Sequence, residues 1–193
     1  MFSAEQIAHA VRVLRAGGVV ACPTETFVGL LADARSAQAV QHVCELKGRD
    51  PNNPIGVLVA DARGLDALAR ELPPRARALA ARYWPGPLTL VVRAVAGLPP
   101  ELQKDGKIGV RVPGPSLALD LVRAFGGPLT ATSANLTGQP PARTSVEARA
   151  VFGKRLDFVV DGESPGGLAS TVVDVTTDPV TLLRRGAIDV AVS

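Results

Sequence analysis

The side chains in this sequence that could do chemistry sit in a few short polar phrases: Lys47-Gly48-Arg49, Lys107 with Arg111, Ser133-Ala134-Asn135, and Ser170 with Arg184. Lys47 and Arg49 flank a glycine, so the backbone can approach an anion on which two cations converge. The same cations also suit a bare helix C-terminus, where they complement the dipole. Even spacing puts Lys107 and Arg111 on one face of a strand, turned either to a ligand or to solvent. Ser133 and Asn135 follow the plain apolar run 128–132. They either close a turn by bonding their own backbone or face a ligand from the end of a strand. The hydroxyls of "PTET", Pro23 to Thr26, pose the same choice, and Ser170 with Arg184 also fits an ordinary hairpin end.

More familiar machinery is missing. There is no P-loop phrase, no GxGxxG after a strand and no Ser-His-Asp set. Cys22 and Cys44 make neither a disulfide framework nor a zinc spacing. His9 and His42 fall off the apolar faces of their helices. What is left is a polar set of Lys, Arg, Ser, Thr and Asn with no evident nucleophile or histidine base. That set suits phosphate binding and charge stabilisation better than covalent catalysis.

Something must hold these phrases in place. A chain of 193 residues, 47% hydrophobic and 20% charged, can bury a real core, and one domain over residues 1–193 is expected. Ser3-Ala4-Glu5-Gln6 reads as a capping box ahead of a helix carrying Ile7, Val11 and Leu14. A second helix starts near Ser36, a third segment over 61–82 breaks at Pro73-Pro74, and residues 115–125 are helical. Thr144-Ser145-Val146-Glu147 is another capping box. Strands are expected at 19–22, 56–60, 88–93, 108–112, 129–132, 158–160, 171–175 and 181–183. Helices alternate with strands early and strands dominate late, which predicts a mixed sheet. The net charge of +3 favours anionic partners, while 4% aromatic residues leave few stacking platforms for RNA. No apolar stretch reaches membrane-spanning length and no signal-peptide pattern is seen, so the chain reads as cytoplasmic, with no membrane partner.

Taken in order, "PTETFVGL", "KGR", "NNP", "WPGPLTLV", "VRVP", "TSAN", "ASTVVD" and "LLRRGAI" resemble the YrdC-like threonylcarbamoyl-AMP synthase family, from Gly18 to Ile188. The resemblance implies an α/β (α+β) single domain with a twisted mixed parallel and antiparallel sheet flanked by helices, around a positively charged concave cavity. It implies synthesis of L-threonylcarbamoyl-AMP and diphosphate from L-threonine, bicarbonate or CO2, and ATP with Mg2+. That adenylate would pass to a tRNA-modifying transferase for N6-threonylcarbamoylation of adenosine. By the same resemblance Lys47, Arg49, Ser133 and Asn135 are catalytic and hold the ATP phosphates. Asn53, Lys107, Pro141 and Arg184 fall at nucleotide-contacting positions; Thr26, Ala131, Arg111 and Ser170 fall at threonine-contacting ones. Mg2+ is expected through the phosphates and not through side chains.

This sequence departs from the family pattern in places. The aromatic of the usual "TVYGL" is displaced to Phe27, with Val28 in its place; on a strand, such a shift turns the ring to the other face. Leu58 stands where many relatives carry a histidine, Arg185 follows Arg184, and Ala169 precedes Ser170. Two other readings stay open: a YrdC-fold module for RNA binding or ribosome maturation, and a paralogue making a different carbamoyl adenylate. Weak RNA binding beside the enzyme activity is a further expectation.

Overall fold

The computed structural model describes residues 2–50 and 53–190, with side chains from residue 4 onward. The helices are α1 (Phe2–Arg15), α2 (Ala37–Lys47), α3 (Arg63–Leu68), α4 (Pro74–Tyr83), α5 (Leu117–Phe125) and α6 (Ser145–Phe152). The strands are β1 (Val20–Pro23), β2 (Val28–Leu31), β3 (Gly56–Leu58), β4 (Ala69–Glu71), β5 (Leu88–Ala94), β6 (Gln103–Lys104), β7 (Lys107–Arg111), β8 (Leu129–Ser133), β9 (Phe158–Val159), β10 (Thr171–Asp174) and β11 (Thr181–Arg184). They join in one sheet of order β11-β10-β5-β7-β3-β8-β2-β1-β9, with β4 on β5 and β6 on β7. The pairings β3–β7, β5–β10 and β1–β9 are parallel and the rest antiparallel, so the sheet is mixed as expected.

Period-two patterning explains why the sheet has one dry and one open face. In β5, Leu88, Leu90 and Val92 are fully buried while Thr89 and Val91 between them are half-buried. In β7, Ile108 and Val110 point into the core, which leaves Lys107, Gly109 and Arg111 for the other side. Helices α1, α5 and α6 close the core against β1, and α4 packs on β5. Each fully buried leucine contributes ~1.5–3 kcal/mol through apolar burial.

Local signals set the helix ends. The Ser36 side chain accepts the Ala39 amide at 3.2 Å, and the Ser116 side chain caps α5 through Leu119. Thr144 and Glu147 form the expected capping box, each accepting the other's backbone N–H at 3.1 Å. Of the box read at Ser3, the Ser3 side chain lies outside the described residues, while the Gln6 side chain donates to Asp161 Oδ2 at 2.8 Å and accepts the Asp161 amide at 2.9 Å. Segment 61–82 differs from expectation, because α3 and α4 are separated by the short strand β4 as well as by Pro73-Pro74. Strands β2 and β6 were also unforeseen. No helix among the described residues is long and apolar enough to cross a membrane.

Candidate functional site

The open face of the sheet curves around a cavity of about 560 Å³. Registry puts Val91, Gly109, Gly56 and Ala131 side by side on adjacent strands, and all four line the cavity. This low floor is why a ligand can lie against the sheet. A Cβ on Gly56 would meet the Ala131 and Gly109 carbonyl oxygens at 3.5 Å and the Ala131 Cβ at 3.8 Å, ordinary contacts, so any larger side chain there would extend into the cavity.

Above the floor stand five cations, Arg49, Lys104, Lys107, Arg111 and Arg184, and two carboxylates, Asp105 and Asp174. Lys107 Nζ donates to Asp174 Oδ2 at 2.8 Å. Burial pushes the Asp174 carboxyl up, but the bonds from Lys107 and Thr176 outweigh it and hold the group below its ordinary range. Arg184 donates through Nε and Nη2 to the Ser170 carbonyl at 3.1 and 2.9 Å, and Ser170 Oγ lies 2.9 Å from Thr89 Oγ1. The chain beyond β11 crosses so near that a Cβ at Gly186 would lie 2.2 Å from the Ala169 carbonyl oxygen. Only glycine fits that crossing.

Nine of the expected site residues line this one cavity: Thr26, Arg49, Asn53, Lys107, Arg111, Ala131, Ser133, Ser170 and Arg184. The solvated-face reading of Lys107 and Arg111 therefore fails. Lys47, Asn135 and Pro141 are outside the lining, and for the first two the reason is geometric. Lys47 is 3% exposed, and its ammonium donates to Ser133 O at 2.5 Å, Asn135 O at 2.9 Å and Asn135 Oδ1 at 3.0 Å. Asn135 Oδ1 also accepts Ser133 Oγ–H at 2.6 Å, while its Nδ2 donates to Leu136 O and Gln139 O. Asn135 thus closes a turn, as one reading of the phrase had it, while Ser133 lines the cavity. Burial, with Arg49 alongside, pulls the Lys47 ammonium down to about 8. Pro141 lies half-buried next to Ala142, which bonds Ala134 and Val28 through its backbone.

Gly48 has a different role from the one read in the sequence. It sits at φ 56°, ψ 44° as the left-handed cap of α2, with its amide on the carbonyls of Cys44 and Glu45. Arg49 is aimed by its own loop, with Nε on Asn53 O at 2.7 Å and Nη2 on Pro54 O at 2.9 Å. Phe27 is a second correction. It lies in the turn before β2 and not on a strand, so Phe27 and Val28 both line the cavity and no change of face follows. The sequence signals no role for Glu25, Thr89 or Asp174, whereas the hydroxyl of Thr24 takes the turn reading offered for its phrase. Thr24 Oγ1 donates to Phe27 O at 2.7 Å and accepts the Thr26 amide at 3.1 Å, which makes "PTET" a tied turn. Among the described residues no cluster of three or more His, Cys, Asp or Glu could hold a metal ion.

The Sua5/YciO/YrdC family model, described as "Telomere recombination", matches residues 12–186. A threonylcarbamoyl-AMP synthase of Bacillus subtilis is 40% identical over 194 residues, covering 95% of this chain and 54% of the relative. Another from Thiobacillus denitrificans is 41% identical over 170 residues, covering 86% of this chain and 89% of the relative. The solved structure of P. abyssi Sua5 complexed with L-threonine superposes with a TM-score of 0.89 at 38% identity, over 93% of this chain and 54% of that one. This chain spans about half the length of the Bacillus subtilis and P. abyssi proteins.

Proposed function

This chain belongs to the Sua5/YciO/YrdC family, and from that membership we propose that it is an enzyme, an L-threonylcarbamoyl-AMP synthase working on L-threonine, bicarbonate or CO2, and ATP. The observation that carries the reading is the convergence of Arg49, Lys107, Arg111 and Arg184 with Ser133 and Ser170 on one cavity with a glycine floor. A relative of high structural similarity is complexed with L-threonine, which supports the same ligand here.

In this reading Arg49, Asn53, Lys107, Ser133 and Arg184 face the nucleotide, and Thr26, Arg111, Ala131 and Ser170 face threonine. The threonine amine loses a proton and forms an N–C bond to carbon dioxide. A carbamate oxygen then attacks the α-phosphorus, and the bond to diphosphate breaks. Neither step requires a covalent bond to the protein. The residues bind, orient and keep water from a labile carbamate. Loss of one charge-assisted contact to the reacting phosphate costs about 3–4 kcal/mol, by analogy with an oxyanion donor.

Mg2+ would arrive on the ATP phosphates and supply charge neutralisation on the leaving diphosphate. A hard cation of this kind takes oxygen ligands and keeps several waters, so the phosphates and water would hold it, with the hydroxyl and carboxylate oxygens of the lining, and not its cations, as the side chains able to assist. Lys47 and Asn135 serve the site by holding Ser133 in place. Pro141 contributes through packing of the same loop. The adenylate is an activated acyl donor, so a downstream transferase that places the threonylcarbamoyl group on tRNA adenosine would consume it.

Purified protein with ATP, Mg2+ and bicarbonate tests the reading, with L-threonine, L-serine or no amino acid added. Diphosphate release that needs threonine is the expected result. ATP binding without any threonine dependence would favour a paralogue with another acceptor. Tight, salt-dependent RNA affinity without ATP binding would favour the RNA-binding module.

A further inference from the structure

Glu25 is a buried carboxylate that the chemistry above leaves without a task. Its side chain is 13% exposed, and neither carboxylate oxygen has a hydrogen-bond partner among the described residues. Oε1 lies 3.2 Å from Arg111 Nη1, close enough for an ion pair but without hydrogen-bond alignment. A buried charge held this way is costly unless it is paired, so the guanidinium is what compensates it. Glu25 itself does not line the cavity, whereas Arg111 does. The carboxylate therefore stands behind the guanidinium as seen from the ligand.

Arg111 needs such support. It projects from the end of β7 with its side chain 9% exposed, and no hydrogen bond leaves its guanidinium to a described residue. Burial pulls its proton affinity down, Glu25 opposes that, and Arg184 adds to it. Glu25 is in turn anchored from two sides. Thr24 ties the turn through Phe27 O, its amide donates to Ser164 Oγ at 3.1 Å, and Gly166 N bonds the Thr26 carbonyl at 2.8 Å. On the other side Glu25 packs on the backbone at Gly114, where an added Cβ would lie 3.0 Å from Glu25 Cγ.

We propose that Glu25 is a positioning residue that sets the Arg111 guanidinium, with its donors free, for the carboxylate of the amino-acid substrate. The proposal rests on the threonine reading given above. Arg111 acts on the ligand, and Glu25 acts only through Arg111. A neutral or displaced group at position 25 would leave Arg111 charged but unaimed, and the nucleotide end of the cavity would keep its own cations.

The test uses Glu25→Gln, Glu25→Asp and Gly114→Ala, the last displacing the carboxylate without removing its charge. The first readout is steady-state kinetics with threonine and ATP varied in turn. Glu25→Gln raises the KM for threonine about tenfold or more while the KM for ATP stays within about twofold; Glu25→Asp recovers part of the loss, and Gly114→Ala shifts threonine in the same direction. An equal change in both KM values, or none, overturns the proposal. The second readout is the guanidinium 15N signal of Arg111, assigned by its loss in Arg111→Lys. It is resolved and slowly exchanging in the wild type and Glu25→Asp, and averaged in Glu25→Gln and Gly114→Ala. If the wild type shows no threonine dependence, the functional reading falls, and an Arg111 signal unchanged in the variants then overturns the positioning role separately. If Glu25→Gln does not fold, Gly114→Ala decides.

Discussion

Lys47 and Arg49 look equivalent in the sequence, yet they do opposite things. Arg49 is fixed by backbone carbonyls and lines the cavity, while Lys47 is sunk beneath it and grips the Ser133–Asn135 turn. The difference follows from geometry, since Lys47 is the last residue of α2 and Arg49 lies beyond its left-handed cap. Lys47 titrates near 8 in the folded chain against 10.5 for an ordinary lysine. Between those values the unfolded chain binds the extra proton, so this group makes stability rise with pH. The Ser133–Asn135 turn meanwhile loses one of its donors as pH passes 8. ATP affinity by calorimetry should therefore fall between pH 7 and pH 9 without a matching drop in thermal stability from this group, and affinity flat to pH 9 would contradict it. Asn135→Ala should leave the far-ultraviolet circular dichroism unchanged while lowering turnover by about tenfold or more. Normal turnover would remove the role given to that turn. The cations and hydroxyls of the site were legible as residue types. Glu25 and Asp174 were not, because a carboxylate's role depends on which cation the register sets beside it.

At the level of elements, the site is a property of strand register. Gly56 on β3 faces Ala131 on β8, and Val57 pairs with Val110, so three strands present their smallest residues at one height. Gly56→Val should fold, since its Cβ meets nothing nearer than 3.5 Å, but it should weaken ATP binding by about tenfold or more, ~1.4 kcal/mol. Unaltered affinity would show that the ligand does not lie on this floor. Thr144→Ala makes the converse prediction, because its capping box lies on α6 outside the cavity lining. It should cost ~1 kcal/mol of stability, a melting shift of about 2–4 °C, with KM values unchanged. The same logic explains what the sequence hid. In β2, Val28, Leu30 and Leu31 are all 0% exposed, so no alternation marks the run as a strand. β4 and β6 are two- or three-residue edge pieces that owe their conformation to β5 and β7. Strands such as β5 and β7, with one dry face, were legible from period alone.

Across the whole molecule, a mixed sheet with helices packed on its dry face leaves the other face as one concave surface. Phrases separated by more than a hundred residues, from Thr26 to Arg184, meet there. No single phrase was diagnostic, and the order of all of them along the chain was what made the family legible. The detailed floor and the Glu25–Arg111 pair needed the fold. One experiment bears on the entire account: mass spectrometry of the nucleotide products formed from ATP, L-threonine, Mg2+ and 13C-labelled bicarbonate. The account requires an adenylate that contains threonine and one labelled carbon, formed together with diphosphate. An unlabelled threonyl adenylate, or no adenylate from protein that binds both ATP and threonine, would contradict it.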